Sequence, residues 1–102
     1  MNKLILITGA TSGFGKAIAE TFAAAKWNCI ITGRRKDRLE ALADTLRIHH
    51  GIEVLPLAFD VQNRQEVFDA LSNLPDAWQS VDVLVNNAGL ALGRDSFENA
   101  DL

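Results

Sequence analysis

An apolar run that breaks into a cluster of glycines constrains this chain more than any other stretch. Residues 4–7 are Leu-Ile-Leu-Ile, and Gly9, Gly13 and Gly15 follow them. A helix-forming sequence begins at Lys16. Because glycine has no Cβ and tolerates positive φ, a chain with glycines at this spacing can turn sharply and let another group approach its backbone. The pattern predicts a buried strand, a tight turn and the start of a helix.

A turn of this kind can bind phosphate groups. The helix that follows presents unpaired N–H groups and the positive end of its dipole, and both attract anions. The spacing, G-x-x-x-G-x-G, differs from the G-x-G-x-x-G of the commoner dinucleotide-binding fingerprint. We interpret the stretch as a dinucleotide-binding turn. The alternative is an ordinary tight turn, and the surrounding strands and helices must decide between the two.

Composition and charge exclude several classes of protein. With 48% hydrophobic and 23% charged residues, the 102-residue chain has the make-up of one small globular domain. Its net charge of −3 gives no general affinity for nucleic acid or for an acidic membrane surface. The apolar run at residues 4–7 is too short for a signal peptide or a membrane span, so we expect a cytoplasmic location.

The cysteine and histidine residues predict neither redox chemistry nor a metal site. Cys29 is the single cysteine and lies in an apolar run, which is typical of a buried strand thiol. His49 and His50 stand at a predicted helix end, and no cysteine or carboxylate lies near them at metal-ligand spacing. We expect no metal.

Three segments carry apolar residues at helical spacing. The first ends near Lys26, and the second runs from Arg35 to a stop at Gly51. The third follows polar capping residues at 60–63 and ends at Pro75. The predicted buried faces are Ile18, Phe22 and Ala25 in the first helix, Leu39, Leu42 and Leu46 in the second, and Val67, Leu71 and Leu74 in the third.

Apolar runs at residues 4–7, 28–32, 54–59 and 81–85 are predicted strands that alternate with these helices. The alternation predicts an α/β fold, a Rossmann-type doubly wound parallel sheet with helices on both faces and strand order 3-2-1-4. Pro56 cannot donate to a sheet ladder, which suits the edge position of the third strand. The ligand crevice would then gather the loops at the carboxyl ends of the strands.

Two of those loops resemble the short-chain dehydrogenase/reductase family. They are Thr-Gly-Ala-Thr-Ser-Gly-Phe-Gly at residues 8–15 and Asn-Asn-Ala-Gly at residues 86–89. The longer string at residues 86–93, with Gly-Arg-Arg at residues 33–35 and Phe14, is similar to the NADP-dependent serine/3-hydroxy acid dehydrogenase branch. The resemblance covers the whole chain, which would be the truncated N-terminal part of such a protein.

The resemblance implies a set of cofactor-binding residues. The backbone of the glycine turn would hold the pyrophosphate, and the Ser12 hydroxyl would donate to a phosphate, cap the helix, or do both. Asp60 would accept from the adenine amino group or cap the third helix, and Val61 would offer a backbone contact. Asn86 and Asn87 would line the ribose site, or act only as turn formers. The full set adds Gly9, Ala10, Thr11, Gly13, Phe14, Gly15, Ala88 and Gly89.

The end of the second predicted strand indicates which nucleotide is bound. NAD-using relatives place an acidic residue there to accept from the adenosine 2′-hydroxyl, whereas this chain has Gly33, Arg34 and Arg35. Arg34 can form two charge-assisted hydrogen bonds with a 2′-phosphate, which a carboxylate would repel. We therefore predict NADP, with Arg34 and Arg35 in its site. The alternative is that these arginines are a solvated helix start.

The family's catalytic residues are absent from this sequence. The resemblance implies a Tyr-x-x-x-Lys pair with a serine and an asparagine after the Asn-Asn-Ala-Gly motif, but the chain has no tyrosine. We expect residues 1–102 to be the NADP-binding part of an enzyme that transfers hydride between NADPH and a small substrate such as serine or another 3-hydroxy acid. The chain alone is expected to be inactive. The alternative is a non-catalytic nucleotide-binding or redox-sensing module.

The fourth predicted strand bears on assembly. A chain that ended soon after this strand would leave its outer edge open along Val81, Val83 and Val85. Unprotected apolar edges recruit other chains. We expect a homo-oligomer that pairs through residues 81–86.

Overall fold

Four parallel strands form the centre of the computed structural model, which describes residues 2–88. The strands are β1 (Leu4–Thr8), β2 (Asn28–Gly33), β3 (Val54–Ala58) and β4 (Val83–Asn86), and they lie in the order β3-β2-β1-β4. The predicted fold class and strand order are confirmed. All five residues of β1 are buried, because this central strand has a neighbour on each side and helices above and below it.

The helices are α1 (Gly13–Ala24), α2 (Lys36–His50) and α3 (Arg64–Ser72). The bounds of α2 agree with the prediction, and Gly51 ends it in the left-handed conformation at a φ of 66°. Helix α3 ends at Ser72, short of Pro75, which instead precedes a 3₁₀ turn at Asp76–Trp78. None of the helices within residues 2–88 is long and apolar enough to cross a membrane.

Two apolar clusters pack on opposite faces of the sheet. The first joins Ile5 and Ile7 to α1 and to Leu39 and Leu46 of α2. The second joins alternate strand residues to the buried face of α3 and includes Leu6, Ile30, Val67 and Leu71. Helices therefore cover both faces, as the doubly wound prediction requires.

The predicted buried face of α1 is wrong. The buried residues are Gly15, Ala19 and Ala23, whereas Ala25 is exposed and follows the end of the helix. Ile18 and Phe22 are only partly buried, at the side of the cluster. The reason is close packing: a Cβ on Gly15 would lie 2.3 Å from the carbonyl oxygen of Gly9, so only small side chains fit beneath this helix.

The two edge strands lie where the sequence predicts them, apart from the residue at which β4 begins. Pro56 lies on the edge strand β3, opposite Ile31 of β2, as predicted. Strand β4 begins at Val83, two residues later than predicted, and Val81 is buried ahead of it. Asp82 fixes the entry into β4, because its backbone N–H donates to the Leu4 carbonyl and its carboxylate accepts from the Leu4 N–H at 2.9 Å.

Candidate functional site

The carboxyl ends of β1 and β4 are joined by a buried hydroxyl. Thr8 is fully buried, and its Oγ1 donates to Oδ1 of Asn86 at 3.0 Å. The backbone N–H of Ala88 in turn donates to the same hydroxyl at 3.1 Å. Thr8 stands inside the predicted motif, but the sequence did not mark it as a site residue. Its position at the end of a buried strand is the signal that points to this role.

Asn87 holds the glycine turn in place from the far end of the described chain. Its Nδ2 donates to the Gly9 carbonyl at 3.1 Å and to Ser12 Oγ at 2.8 Å. The two motifs that the sequence analysis paired therefore touch each other. Since both amide protons of Asn87 are used within the protein, the turn is held in one shape by contacts from β4.

Ser12 is the N-cap of α1, one of the two roles predicted for it. Its Oγ accepts from the N–H of Gly15 at 3.1 Å and donates to the Gly9 carbonyl at 3.0 Å. The hydroxyl has one proton, and that proton is committed to Gly9. Donation from Ser12 to a phosphate, which stays a prediction, would require this bond to break.

The three glycines of the turn have different environments. Gly9 has a φ of +65°, and a Cβ on it would lie 3.2 Å from the Cβ of Ala88. Gly15 is required by the close contact between α1 and the turn. Neither constraint applies to Gly13, because its φ is not positive and a Cβ there would meet nothing within 4 Å. A glycine at this open position is suited to close approach by a group outside the protein, so the turn fits a bound phosphate.

The N-terminus of α1 has donors available for that group. In the part of the chain that the structure describes, no hydrogen bond uses the backbone N–H of Gly13 or Phe14. The first turn carries no acidic residue. Phe14 is 71% exposed beside these groups, an unusual position for a large apolar side chain. Free N–H groups, the helix dipole and an apolar neighbour together suit an anion attached to a larger organic ligand.

The end of β2 lies against the same turn. The N–H of Ala10 donates to the carbonyl of Thr32 at 2.9 Å. Arg34 and Arg35 follow Gly33 and are exposed, and neither side chain forms an ion pair or hydrogen bond within residues 2–88. Arg35 occupies the N-cap position of α2 without a side-chain cap. The two guanidinium groups are therefore available to an anion at the carboxyl end of β2.

The loop after β3 is ordered by its own side chains. Asn63, not Asp60, caps α3, and its Oδ1 accepts from the N–H groups of Gln65 and Glu66 at 3.1 Å. Asp60 Oδ1 accepts from the N–H of Gln62 at 2.9 Å and tightens the turn. The capping alternative for Asp60 is thus wrong, and its contact with adenine stays a prediction. Val61 is partly buried and packs against the second apolar cluster, which contains Val67 and Leu71 of α3. Gly89 lies outside the described residues.

A doubly wound parallel sheet whose glycine-rich first turn is held by the loop after β4 is typical of nucleotide-binding proteins. Within that class, the family model described as short chain dehydrogenase matches residues 3–102. The chain belongs to the short-chain dehydrogenase family.

Individual relatives agree with this assignment. The chain is 53% identical over 94 residues to serine 3-dehydrogenase from Agrobacterium fabrum, covering 91% of this chain and 36% of the relative. It is 50% identical over 97 residues to a probable NADP-dependent dehydrogenase from Haemophilus influenzae, covering 95% and 37%. L-sorbose reductase from Gluconobacter frateurii, solved with NADPH and L-sorbose, matches at a TM-score of 0.78 and 36% identity, covering 84% and 33%. The chain thus spans less than two fifths of the length of these relatives.

Proposed function

We propose that residues 1–102 are the N-terminal, cofactor-binding part of an NADP-dependent oxidoreductase. The observation that carries the proposal is the end of β2, where Gly33 stands in place of an acidic residue. Arg34 follows it beside the glycine turn and forms no ion pair or hydrogen bond within residues 2–88. A relative named as NADP-dependent and a similar structure that holds NADPH support the same cofactor.

Specific residues would hold each part of the cofactor. The N–H groups of Gly13 and Phe14 would donate to the pyrophosphate, and Arg34 would bind the 2′-phosphate through paired, charge-assisted hydrogen bonds. Asn87 would keep the turn in its binding shape through Gly9. When bound, NADPH supplies a hydride. The protein's part in these residues is to bind and orient the cofactor.

The reaction we propose for the whole enzyme is reversible hydride transfer between NADPH and a carbonyl or hydroxyl carbon of a small substrate. Serine or a related 3-hydroxy acid is the proposed substrate, because a relative 53% identical to the chain is named serine 3-dehydrogenase. The chain has no tyrosine to act as the family's acid/base residue. We therefore expect no turnover from residues 1–102 alone, and reductase activity in a pure preparation would contradict this.

Arg34→Asp tests the proposed cofactor. The substitution should weaken NADPH binding by about 1–3 kcal/mol, the scale of a hydrogen bond to a charged group, and should leave NADH binding unchanged or improved. Lys36→Asp is the matched control, since it makes the same charge change two residues later on an exposed position of α2. Calorimetric or fluorescence titration of each variant with NADPH and NADH measures the effect. Equal NADPH affinities in Arg34→Asp and the unchanged chain would refute the assignment.

A further inference from the structure

Strand β3 presents an apolar, uncharged edge. It is the last strand on its side of the sheet in residues 2–88, and its sequence is Val-Leu-Pro-Leu-Ala. Short apolar segments on an open edge pair readily with strands of other chains. The groups along this edge therefore decide whether β3 of a second copy can join the sheet.

The backbone groups of β3 alternate between β2 and the open side. The N–H of Cys29 donates to the Glu53 carbonyl at 3.1 Å, and the N–H of Phe59 donates to the Gly33 carbonyl at 3.0 Å, so residues 53 and 59 bond to β2. Alternate residues of a strand direct their N–H and C=O groups to the same side. In the observed register, residues 54, 56 and 58 therefore direct theirs to the open side.

Arg47, in the last turn of α2, occupies one of these open groups. Its Nη2 donates to the Val54 carbonyl at 2.7 Å, a distance typical of a charge-assisted hydrogen bond. Its Nη1 bonds to Oδ1 of Asp44 at 3.1 Å, which fixes the direction of the guanidinium. Since a neighbouring strand would lie about 4.8 Å from β3, the guanidinium stands where the backbone of that strand would run.

Pairing of β3 with β3 of a second copy would need the carbonyl that Arg47 holds. Two copies related by a two-fold axis would pair antiparallel, and an axis at Pro56 would place Val54 opposite Ala58 of the second copy. Opposite residues in such a pair exchange two hydrogen bonds, one of them from the Ala58 N–H to the Val54 carbonyl. Pro56 has no N–H for the central bonds, and Arg47 holds the acceptor needed at each end.

We infer that Arg47 is a blocking residue, which prevents β3 of one chain from pairing with β3 of another. Arg47 and Pro56 act on different bonds of the same edge, so each keeps the edge unpaired when the other is removed. The inference does not depend on the cofactor, and it concerns the side of the sheet opposite to β4.

Hydrogen exchange of the 102-residue chain at low and high protein concentration tests the inference. In Pro56→Val/Arg47→Met, the amides of Val54 and Ala58 should exchange at least about tenfold more slowly at high concentration, because both obstacles to pairing are gone. Pro56→Val alone should show no such change, since Arg47 still holds the Val54 carbonyl. Pro56→Val/Arg38→Met is the matched control: it removes the same charge from α2, at the opposite end of the helix from Arg47.

A gain in protection that is confined to Pro56→Val/Arg47→Met supports the inference. An equal gain in Pro56→Val alone or in the Arg38 control overturns it, and so does the lack of a gain in every variant. The amide of Cys29, which bonds to Glu53, reports whether β3 stays in the sheet. Loss of its protection in Pro56→Val/Arg47→Met would show that Arg47 holds β3 in place and does not block its edge, which would also overturn the inference.

Discussion

Gly13 and Gly15 lie two residues apart and serve different purposes. Gly15 is buried where α1 meets the turn, and an added Cβ would meet the backbone oxygen of Gly9. Gly13 is exposed, and an added Cβ would meet nothing. From the sequence alone the two were equivalent members of one motif. The structure assigns Gly15 to the fold and leaves Gly13 for the ligand.

Alanine at these positions should separate folding from binding. Gly15→Ala should lower the free energy of unfolding by about 1–3 kcal/mol, because a backbone atom must move to admit the methyl group. Gly13→Ala should leave stability unchanged or raise it by up to about 1 kcal/mol, since alanine is the better helix former. Urea denaturation measures both.

Gly13→Ala should nevertheless weaken NADPH binding, because its methyl group would project toward the position proposed for the pyrophosphate. Titration with NADPH, using the same preparation as the denaturation, provides the comparison. Full NADPH affinity in Gly13→Ala would show that the cofactor does not approach this position.

At the scale of the element, β2 carries the single cysteine in the centre of the core. Cys29 is fully buried, and desolvation raises the pKa of its thiol from 9.0 to about 12. In the unfolded chain the thiol ionises near its ordinary pKa, so above about pH 9 the unfolded state loses a proton that the folded state keeps. Stability from this group is complete below that pH and falls as the pH rises toward 12.

The pH dependence can be isolated with one variant. Cys29→Ala should be less stable than the unchanged chain at pH 8, because it leaves a small cavity. The gap should narrow above pH 9, by at most about 1.4 kcal/mol for each pH unit, because alanine has no proton to lose. Urea denaturation of both proteins between pH 8 and pH 10.5 measures the difference. A gap that stays constant across this range would contradict the burial of the thiol.

Helix α1 shows where periodicity fails as a guide. Ile18 and Phe22 are the large apolar residues at helical spacing, yet Ala19 and Ala23 face the sheet. A pattern of apolar residues assumes that the larger side chains occupy the core. Here the turn holds α1 too close to the sheet for that, and the larger residues pack at its side. Helix α2 has no such constraint, and its leucines are buried as predicted.

At the scale of the whole molecule, the two edges of the sheet differ. Strand β3 carries Pro56, which interrupts its donors. Strand β4 is the other end of the four-stranded sheet in residues 2–88. Its residues 83–85 are partly buried, and the strand has no proline. An edge without such protection is the one that recruits another chain.

We predict that the chain self-associates through β4. Light scattering should show a mass that rises with concentration, and the backbone amides of β4 should gain protection from hydrogen exchange over the same range. The amides of β3 serve as the internal control, because Pro56 should keep that edge unpaired. A concentration-independent monomer, or equal gains in protection at both edges, would rule out association through β4.

The sequence by itself determined the features that depend on local pattern. Alternating apolar runs and amphipathic segments indicated four strands and three helices, and Pro56 indicated an edge. The order 3-2-1-4 followed from the doubly wound fold class that this alternation predicts. The sequence alone also shows that Arg34 comes directly after a predicted strand that ends in glycine. Apart from the strand order, which also needs the fold class, these inferences use only neighbours along the chain.

The tertiary structure decided what depends on residues far apart in the chain. It brought Asn87 within hydrogen-bond distance of Gly9 and Ser12, which are more than 70 positions away, and it joined the Thr8 hydroxyl to Asn86. It also distinguished Gly13 from Gly15. Distance, burial and the direction of a hydroxyl proton arise only when the sheet and helices pack, so no spacing in the sequence could have specified them.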